Sequence, residues 1–277
     1  MSFRYIRFDF TIKGSEAPFF TGSALRGAFG YSLKKVCCIN PKGVCDGCFA
    51  DATCLYYDFF ENKNTSHGYR FAVATPSNGW SFGIYLFEGA CDKAAYVLSA
   101  LNTAVTEGGL GAGRERKRIA SVWAGDTLVY DGDRFELKGV KPQSFVPQKD
   151  RKISKIILKT PFRLKSDGKR VAAEEITAVS VALSAMRRLD ELKGEPFKSR
   201  RFEYDRDTEK KSLEFVDLAR YSNRQKTKMA LGGYAGVIEC ADMTEEMNEA
   251  LQIGEIIGVG KSCVFGLGEI KLMEGGE

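Results

Sequence analysis

Five of the eight cysteines of this 277-residue chain lie between residues 37 and 54, which we call the cysteine block. A C-x-x-C pair with two further thiols nearby suits tetrahedral Zn²⁺, and flanking glycines permit the tight turn that such a pair needs. An iron–sulfur cluster uses the same ligands, and buried free cysteines are the other alternative. The spacing predicts a structural zinc held by Cys38, Cys45, Cys48 and Cys54, with Cys37 as the substitute for Cys38.

A glycine-rich segment near the end of the sequence, Gly258–Gly268, surrounds one lysine and one serine. Its Gly-Lys-Ser core is like the end of a P-loop, but that motif needs a glycine at position 255, where this chain has Glu255. No nucleotide cofactor is therefore predicted. Glycines let backbone N–H groups approach an anion closely, and a tight structural turn is the alternative. The candidate anion-binding residues are Gly258, Gly260, Lys261, Ser262, Gly266 and Gly268.

Basic side chains cluster elsewhere as well. A second glycine-rich stretch, Gly108–Gly113, leads directly into a basic run, and three further cations alternate along a predicted strand and so share one face. Such rows suit the phosphates of a nucleic-acid backbone, although a solvated charged surface is the ordinary explanation of any single cluster. The candidate phosphate-binding residues are Arg26, Arg114, Arg116, Lys117, Arg118, Arg224, Lys226 and Lys228.

The elements that must position these groups recur in the same order in both halves of the chain. Arg4–Lys13 alternates apolar and polar residues as a half-buried strand does, and residues 23–36 have the apolar spacing of a helix. Each half continues with strands, a second helix, a glycine-rich loop and a last strand. This βαββαβ order is the ferredoxin-like arrangement. The sequence predicts an α+β protein of two tandem ferredoxin-like (RRM-like) domains, 1–146 and 147–277.

Finer boundaries follow from local signals. Ser23 and Asp242 are the predicted N-caps of helices that end near residues 36 and 257. Helices are also predicted over 92–107 and 173–192, and strands near 134–137 and 202–205.

Composition excludes several classes of protein. Lysine and arginine number 41 against 36 aspartate and glutamate, and 44% of the residues are hydrophobic, as in a soluble globular protein. No stretch approaches the ~20 apolar residues of a membrane span, and Met1–Tyr5 lacks the apolar region of a signal peptide. We therefore expect a cytoplasmic protein without a membrane partner, in which clustered thiols favour metal binding over disulfides.

Taken together, these motifs resemble the CRISPR-associated endoribonucleases of the RAMP superfamily that process precursor crRNA. Gly258–Gly268 is similar to the glycine-rich loop of that superfamily. Phe20–Gly30, the cysteine block with the residues up to Glu61, Gly109–Arg114 and Arg220–Met229 are similar to a branch with a four-cysteine motif in its N-terminal domain. The resemblance implies tandem ferredoxin-like domains, a role in antiviral defence, and CRISPR repeat RNA or crRNA as the partner. Subunits of a CRISPR effector complex are further candidate partners.

The resemblance also implies a reaction. A 2′-hydroxyl attacks the adjacent phosphate without a catalytic metal and leaves a 2′,3′-cyclic phosphate and a 5′-hydroxyl. This chemistry uses a general base, a general acid and cations that stabilise the phosphorane. The family often has a histidine next to the position of Gly30, where this chain has a tyrosine. The candidate catalytic residues are Tyr31, Lys34 one turn further on, and the lone histidine of the chain, His67.

Three functions remain at this point. The first is an endoribonuclease that cleaves CRISPR repeat RNA. The alternative is a non-catalytic RAMP protein that holds crRNA within an effector complex, because no histidine stands beside Gly30. A zinc-stabilised interaction module explains the cysteines but not the two glycine-rich loops with their basic residues.

Overall fold

The computed structural model describes residues 1–14, 16–63, 66–166, 168–222 and 227–275. The chain divides into two compact units, Phe3–Ser144 and Phe145–Glu277. Across the described residues, every helix is too short or too polar to cross a membrane.

The N-terminal unit is built on one antiparallel sheet and two helices. Its strands follow the order β2-β3-β1-β4-β5, in which the first four have ferredoxin-like topology and β5 extends the sheet by a hairpin. A short strand, β6, also pairs with β1. The elements are β1 (Phe3–Lys13), α1 (Gly22–Cys37), β2 (Tyr69–Ala72), β3 (Phe82–Phe87), α2 (Ala94–Thr103), β4 (Arg118–Ala124), β5 (Thr127–Tyr130) and β6 (Gln143–Phe145).

The sequence pattern explains why these elements form. The alternation along β1 buries Ile6, Phe8, Phe10 and Ile12, whereas the intervening Arg7 is exposed. On α1 the apolar residues four apart bury one stripe of the helix, which comprises Leu25, Phe29 and Leu33. The core of the unit therefore lies between the sheet and this stripe.

The C-terminal unit repeats the plan with two inserted hairpins. Its sheet has the order β10-β13-β7-β14, again antiparallel and ferredoxin-like, while β8-β9 and β11-β12 form separate two-stranded ribbons. Helices α3 and α4 pack against each other. The elements are β7 (Ile153–Phe162), β8 (Lys165–Ser166), β9 (Lys169–Arg170), α3 (Ala178–Lys193), β10 (Lys210–Val216), β11 (Ala219–Ser222), β12 (Thr227–Ala230), β13 (Gly233–Glu239), α4 (Glu245–Ile257) and β14 (Ile270–Glu274).

The α+β class is confirmed, but several boundaries differ from the predictions. Thr21, not Ser23, precedes α1, and its side chain makes no capping bond. Thr244 caps α4 by accepting a hydrogen bond from the Met247 amide, because Asp242 has a φ of 53°, which an N-cap does not adopt.

Other differences concern whole segments. Residues 134–137 form no strand beyond an isolated bridge from Phe135 to Tyr130, and residues 202–205 form none, because β10 takes that edge of the C-terminal sheet. The region predicted as one helix over 92–107 is an α-helix flanked by a 3₁₀ segment, Glu88–Lys93, and a π-helical turn, Ala104–Gly108. The helix predicted to begin at residue 173 begins at Ala178, after a short 3₁₀ turn.

Candidate nucleic-acid interface

The surface of α1 carries cations that rest on aromatic rings. The Arg26 guanidinium lies 4.6 Å from the centroid of the Phe60 ring. That ring stacks on Tyr56 at 5.3 Å, and the Lys34 ammonium lies 5.2 Å from the Tyr56 centroid. Such contacts fix a cation without neutralising its charge. Arg26, which we expected on the exposed side of the helix, is half-buried by its ring contact.

Gly30 explains how the rings come so close to α1. A Cβ at this position would lie 2.6 Å from Cε1 of Phe60, so a larger residue would push the ring away. Phe60 belongs to a π-helical turn, Tyr57–Glu61, which directly follows the cysteine block. The segment after the block therefore packs against the same helix that carries Tyr31 and Lys34.

The three candidate catalytic residues have different surroundings. Tyr31 is 59% exposed, and the Lys35 ammonium lies 5.2 Å from its ring centroid. The Nδ1 atom of His67 is 2.9 Å from the Asp58 carbonyl oxygen, and its ring stacks near Tyr69. A carbonyl only accepts hydrogen bonds, so Nδ1 carries the proton and Nε2 is the basic nitrogen of the neutral ring.

All five thiols of the cysteine block line one small cavity, together with Ile39, Val44 and Tyr57. The Cys45–Cys48 turn is closed by a hydrogen bond of 3.3 Å from the Cys48 amide to the Cys45 carbonyl. Burial, with the nearby Cys54 and Cys38 thiols, raises the pKa of Cys37 to about 11. Within the described part of the chain, no three potential ligands already converge on one point.

In the N-terminal glycine loop, Gly108–Arg118, two of the four cations contact acceptors of the protein. The Lys117 ammonium is 2.7 Å from the Glu115 carboxylate, and only 7% of its side chain is exposed. Arg116 Nε donates to the Glu107 carbonyl at 3.2 Å. The Trp80 ring lies against Gly111. Arg114, Arg116 and Arg118 are all exposed, whereas Lys117 is not.

The C-terminal glycine loop, Gly258–Gly268, is held by hydrogen bonds within its own unit. Lys261 donates its amide to the Arg163 carbonyl at 2.8 Å, and Arg163 Nη1 lies 3.4 Å from the Ser262 hydroxyl. The Arg220 guanidinium rests 4.7 Å from the Phe265 centroid. The Lys261 side chain is exposed.

This geometry corrects the idea that glycine amides cradle the anion. Each of the four glycine N–H groups already has a protein acceptor: the acceptors are the Gly254 carbonyl for Gly258, the Ser184 hydroxyl for Gly260, the Cys263 carbonyl for Gly266 and the Pro161 carbonyl for Gly268. The glycines are required for a steric reason instead, since a Cβ on Gly268 would overlap the Val259 carbonyl oxygen. An anion at this loop is therefore held by groups other than these glycine amides, of which the exposed Lys261 side chain is one.

Two predicted residues lie outside the described residues. These are Arg224 and Lys226, which stand between β11 and β12 in the sequence. Lys228 lies within β12, where its backbone pairs with Tyr221.

The structure also brings cations to the C-terminal glycine loop that our sequence reasoning missed. They lie on residues 163–170, which we call the basic hairpin and which contains β8 and β9. The sequence signal was present, because four of these eight residues are lysine or arginine around an Asp-Gly turn. The residues are Arg163, Lys165, Lys169 and Arg170.

Comparison with known protein families matches both halves of the chain. Residues 3–143 match a family model described as the AF_1859_N N-terminal domain. Residues 156–270 match the model of the CRISPR-associated endoribonuclease Cas6. No curated protein matches the sequence significantly.

Solved structures with the same fold cover almost the whole chain. One Cas6 product complex has a TM-score of 0.57 and 16% identity over 98% of this chain and 99% of that chain. A second Cas6 product complex has a TM-score of 0.55 and 14% identity over 99% and 100%. Thermus thermophilus Cas6 has a TM-score of 0.55 and 13% identity over 98% and 99%. At such low identity the likeness shows a shared fold.

Proposed function

Because the chain belongs to the CRISPR-associated Cas6 family of RAMP proteins, we propose that it is an endoribonuclease that binds CRISPR repeat RNA and cleaves precursor crRNA. The finer proposal is cleavage by 2′-hydroxyl attack without a catalytic metal. The products are then a 2′,3′-cyclic phosphate and a 5′-hydroxyl.

The Cas6 family match over residues 156–270 carries the proposal, because it spans the C-terminal βαββαβ unit with its glycine loop. Binding of RNA is supported by exposed cations at this loop, since phosphate neutralisation dominates affinity for nucleic acids. On the N-terminal unit, α1 adds a row of cations that aromatic rings hold in place.

The chemistry falls to groups on α1 and next to it. Tyr31 is exposed, so its hydroxyl can contact the RNA and exchange a proton with the 2′-hydroxyl or the leaving 5′ oxygen. Lys34 and Lys35 lie beside aromatic rings on this helix and stabilise the charge of the phosphorane. His67 offers Nε2 as the alternative base, because Nδ1 is occupied by the Asp58 carbonyl.

One specific observation favours the non-catalytic alternative, a protein that only holds crRNA. The chain has a single histidine, and it lies in a loop rather than on α1. A phenol hydroxyl is a weaker general base than an imidazole, so cleavage through Tyr31 is expected to be slow.

An assay with labelled repeat RNA separates the two functions. The protein is mixed with RNA in EDTA, matched by a reaction in magnesium chloride, and the product ends are identified. Products with cyclic-phosphate ends that form at equal rates in both reactions support the proposal. Binding without cleavage identifies the crRNA-holding alternative, and cleavage only with magnesium overturns the metal-independent step.

Variants then assign the roles. If Tyr31 exchanges the proton, Tyr31→Phe lowers the single-turnover rate by about 10²-fold while RNA affinity is kept. If His67 is the base, His67→Ala has that effect and Tyr31→Phe does not. Lys93→Ala, which removes an exposed cation from the 3₁₀ segment before α2, is the control and keeps the wild-type rate.

We further propose that the cysteine block holds a structural zinc through Cys38, Cys45, Cys48 and Cys54. Support comes from the shared cavity and from its donor set, because thiolates of this number suit tetrahedral zinc. A bound zinc supplies no catalytic chemistry here. The four thiols would fix the segment that carries Tyr56 and Phe60 against α1.

Metal analysis tests this site without relying on activity. Purified protein is expected to contain about one zinc per chain, and Cys48→Ser to lose it. Cys37→Ser is the matched control and keeps the metal. Wild-type protein that contains no zinc after expression in zinc-supplemented medium contradicts the site. An absorption spectrum typical of an iron–sulfur cluster would show that the thiols hold such a cluster instead of zinc.

A further inference from the structure

The basic hairpin brings like charges together, and none of them has an acidic partner among the described residues. Its register places Lys165 directly opposite Arg170 across the two strands. Two cations opposite each other in an antiparallel pair destabilise it. The arrangement is therefore unfavourable for the folded protein alone and favourable for one with a bound anion.

Arg163 links the hairpin to the C-terminal glycine loop. Its carbonyl accepts the Lys261 amide, and its guanidinium reaches the Ser262 hydroxyl. Burial, with a contribution from Arg170, lowers the pKa of Arg163 below its ordinary value. Arg163, Arg170 and the loop lysine thus share one region of the C-terminal unit.

An aromatic ring holds Arg170 in place without neutralising it. The Arg170 guanidinium lies 4.1 Å from the Phe215 centroid, and Phe215 packs edge-on against Tyr234 at 5.4 Å. The ring is fixed in turn by Gly232, where a Cβ would lie 2.6 Å from Phe215 Cζ. The cation is therefore preorganised toward solvent, which lowers the cost of ordering it on binding.

The lack of acidic partners is local to this region. Other cations of the same unit are paired: Arg151 with Glu255, Lys155 with Glu239, and Lys159 with Glu269, at 3.0, 3.2 and 3.5 Å. Over the ranges that the structure describes, no ion pair involves Lys261 or the four cations of the basic hairpin.

We propose that Arg163, Arg170 and Lys261 form a binding site for consecutive phosphates of the RNA backbone, and that Lys165 and Lys169 extend it along the basic hairpin. Guanidinium groups bind phosphate oxygens bidentately, and lysines add point charges. The site reads no bases, so it positions any RNA strand that the protein binds. This inference rests on the proposed RNA-binding function.

The test compares two variants that each remove two positive charges from the C-terminal unit. Lys165→Gln/Arg170→Gln changes the exposed cross-strand pair of the hairpin, and Lys155→Gln/Lys159→Gln changes two paired cations as the matched control. Binding of fluorescein-labelled repeat RNA and of labelled oligouridine is measured by anisotropy over a salt series. Circular dichroism confirms that each variant is folded.

The hairpin variant is expected to lose on the order of tenfold in affinity for both RNAs at low salt. Its slope of log K against log salt is expected to fall by about 1.4, or ~0.7 for each lost phosphate contact on a single strand. The control variant keeps the wild-type slope and an affinity within about twofold, because its cations already have acidic partners.

Each of the other possible results of these binding measurements would contradict a different part of the proposal. Wild-type affinity and slope in the hairpin variant overturn the site and leave the proposed function standing. A loss confined to repeat RNA overturns backbone binding in favour of base recognition. Competition by polyglutamate as strong as by oligouridine identifies an acidic protein partner instead. If the wild-type protein binds neither RNA at low salt, the proposed function fails together with the site.

Discussion

The two glycine loops are alike in sequence and unlike in their cations. Both contain paired glycines beside basic residues, and both contain one non-glycine residue with positive φ, Arg114 at 48° and Ser262 at 73°. In the N-terminal loop the Lys117 ammonium is buried on Glu115. In the C-terminal loop Lys261 is exposed beside Arg163 and Arg170, whose charges have no acidic partner among the described residues.

The difference teaches that a glycine-plus-lysine pattern specifies a backbone shape more than a ligand. Both loops need glycine where a Cβ would overlap a carbonyl oxygen of the same loop, that of Arg114 for Gly109 and that of Val259 for Gly268. Whether the neighbouring cation is free for RNA depends on which side chains the fold sets next to it. Three predictions test this comparison.

The largest effect is expected from the backbone that the loops share. Gly109→Ala and Gly268→Ala each force a Cβ onto a carbonyl oxygen at positive φ, so each is expected to lower the free energy of unfolding by more than about 3 kcal/mol. Gly113→Ala is the control, because a Cβ there meets nothing within 4 Å and the change stays within about 0.5 kcal/mol.

Urea unfolding measures these differences. Both tryptophans, Trp80 and Trp123, belong to the N-terminal unit, so their fluorescence follows Gly109→Ala, and circular dichroism follows Gly268→Ala. A wild-type midpoint for either variant would show that the loop has another conformation.

An intermediate effect is expected from substitution of the two loop lysines. One substitution is expected to change stability and the other RNA affinity. Lys117→Met is expected to cost about 1 kcal/mol of unfolding free energy, because it removes the ion pair with the exposed Glu115, and to leave RNA affinity unchanged. Lys261→Met is expected to leave stability within about 0.5 kcal/mol and to lower RNA affinity several-fold. Urea unfolding and anisotropy on the same samples check both, and equal losses of affinity would remove the distinction between the loops.

The smallest effect is expected from the two residues with positive φ. Replacing a side chain by glycine relieves about 1–2 kcal/mol of left-handed strain and costs about 0.5–1 kcal/mol in the entropy of the unfolded chain. Arg114→Gly and Ser262→Gly are therefore both expected to stabilise by up to about 1 kcal/mol.

RNA affinity separates these two variants. Ser262→Gly removes the hydroxyl that contacts Arg163, so it is expected to weaken binding about two- to threefold. Ser262→Asn, which tolerates this backbone conformation and keeps a polar side chain, is the control. An affinity for Ser262→Gly equal to the wild-type value would show that Ser262 does not position Arg163.

Much of the fold could be predicted because its signals are local. The alternation in β1 and the four-residue spacing of Leu25, Phe29 and Leu33 each describe one element and are visible without its partners. Helix starts were harder, since Thr21 and Thr244 compete with equally suitable neighbours. Charge clustering also predicted cations near the loops, but not which of them would be paired.

The sequence by itself determined the order of the elements, the apolar faces that build two ferredoxin-like units, and the positions where only glycine fits. The tertiary structure decided which polar groups remain available. In the folded protein the glycine amides of residues 258–268 donate to internal acceptors, and Lys117 pairs with Glu115. Among the described residues, Arg163 and Arg170 pair with no carboxylate. The physical reason is that periodicity is a property of neighbours along the chain, whereas pairing depends on distances between groups that only folding brings together.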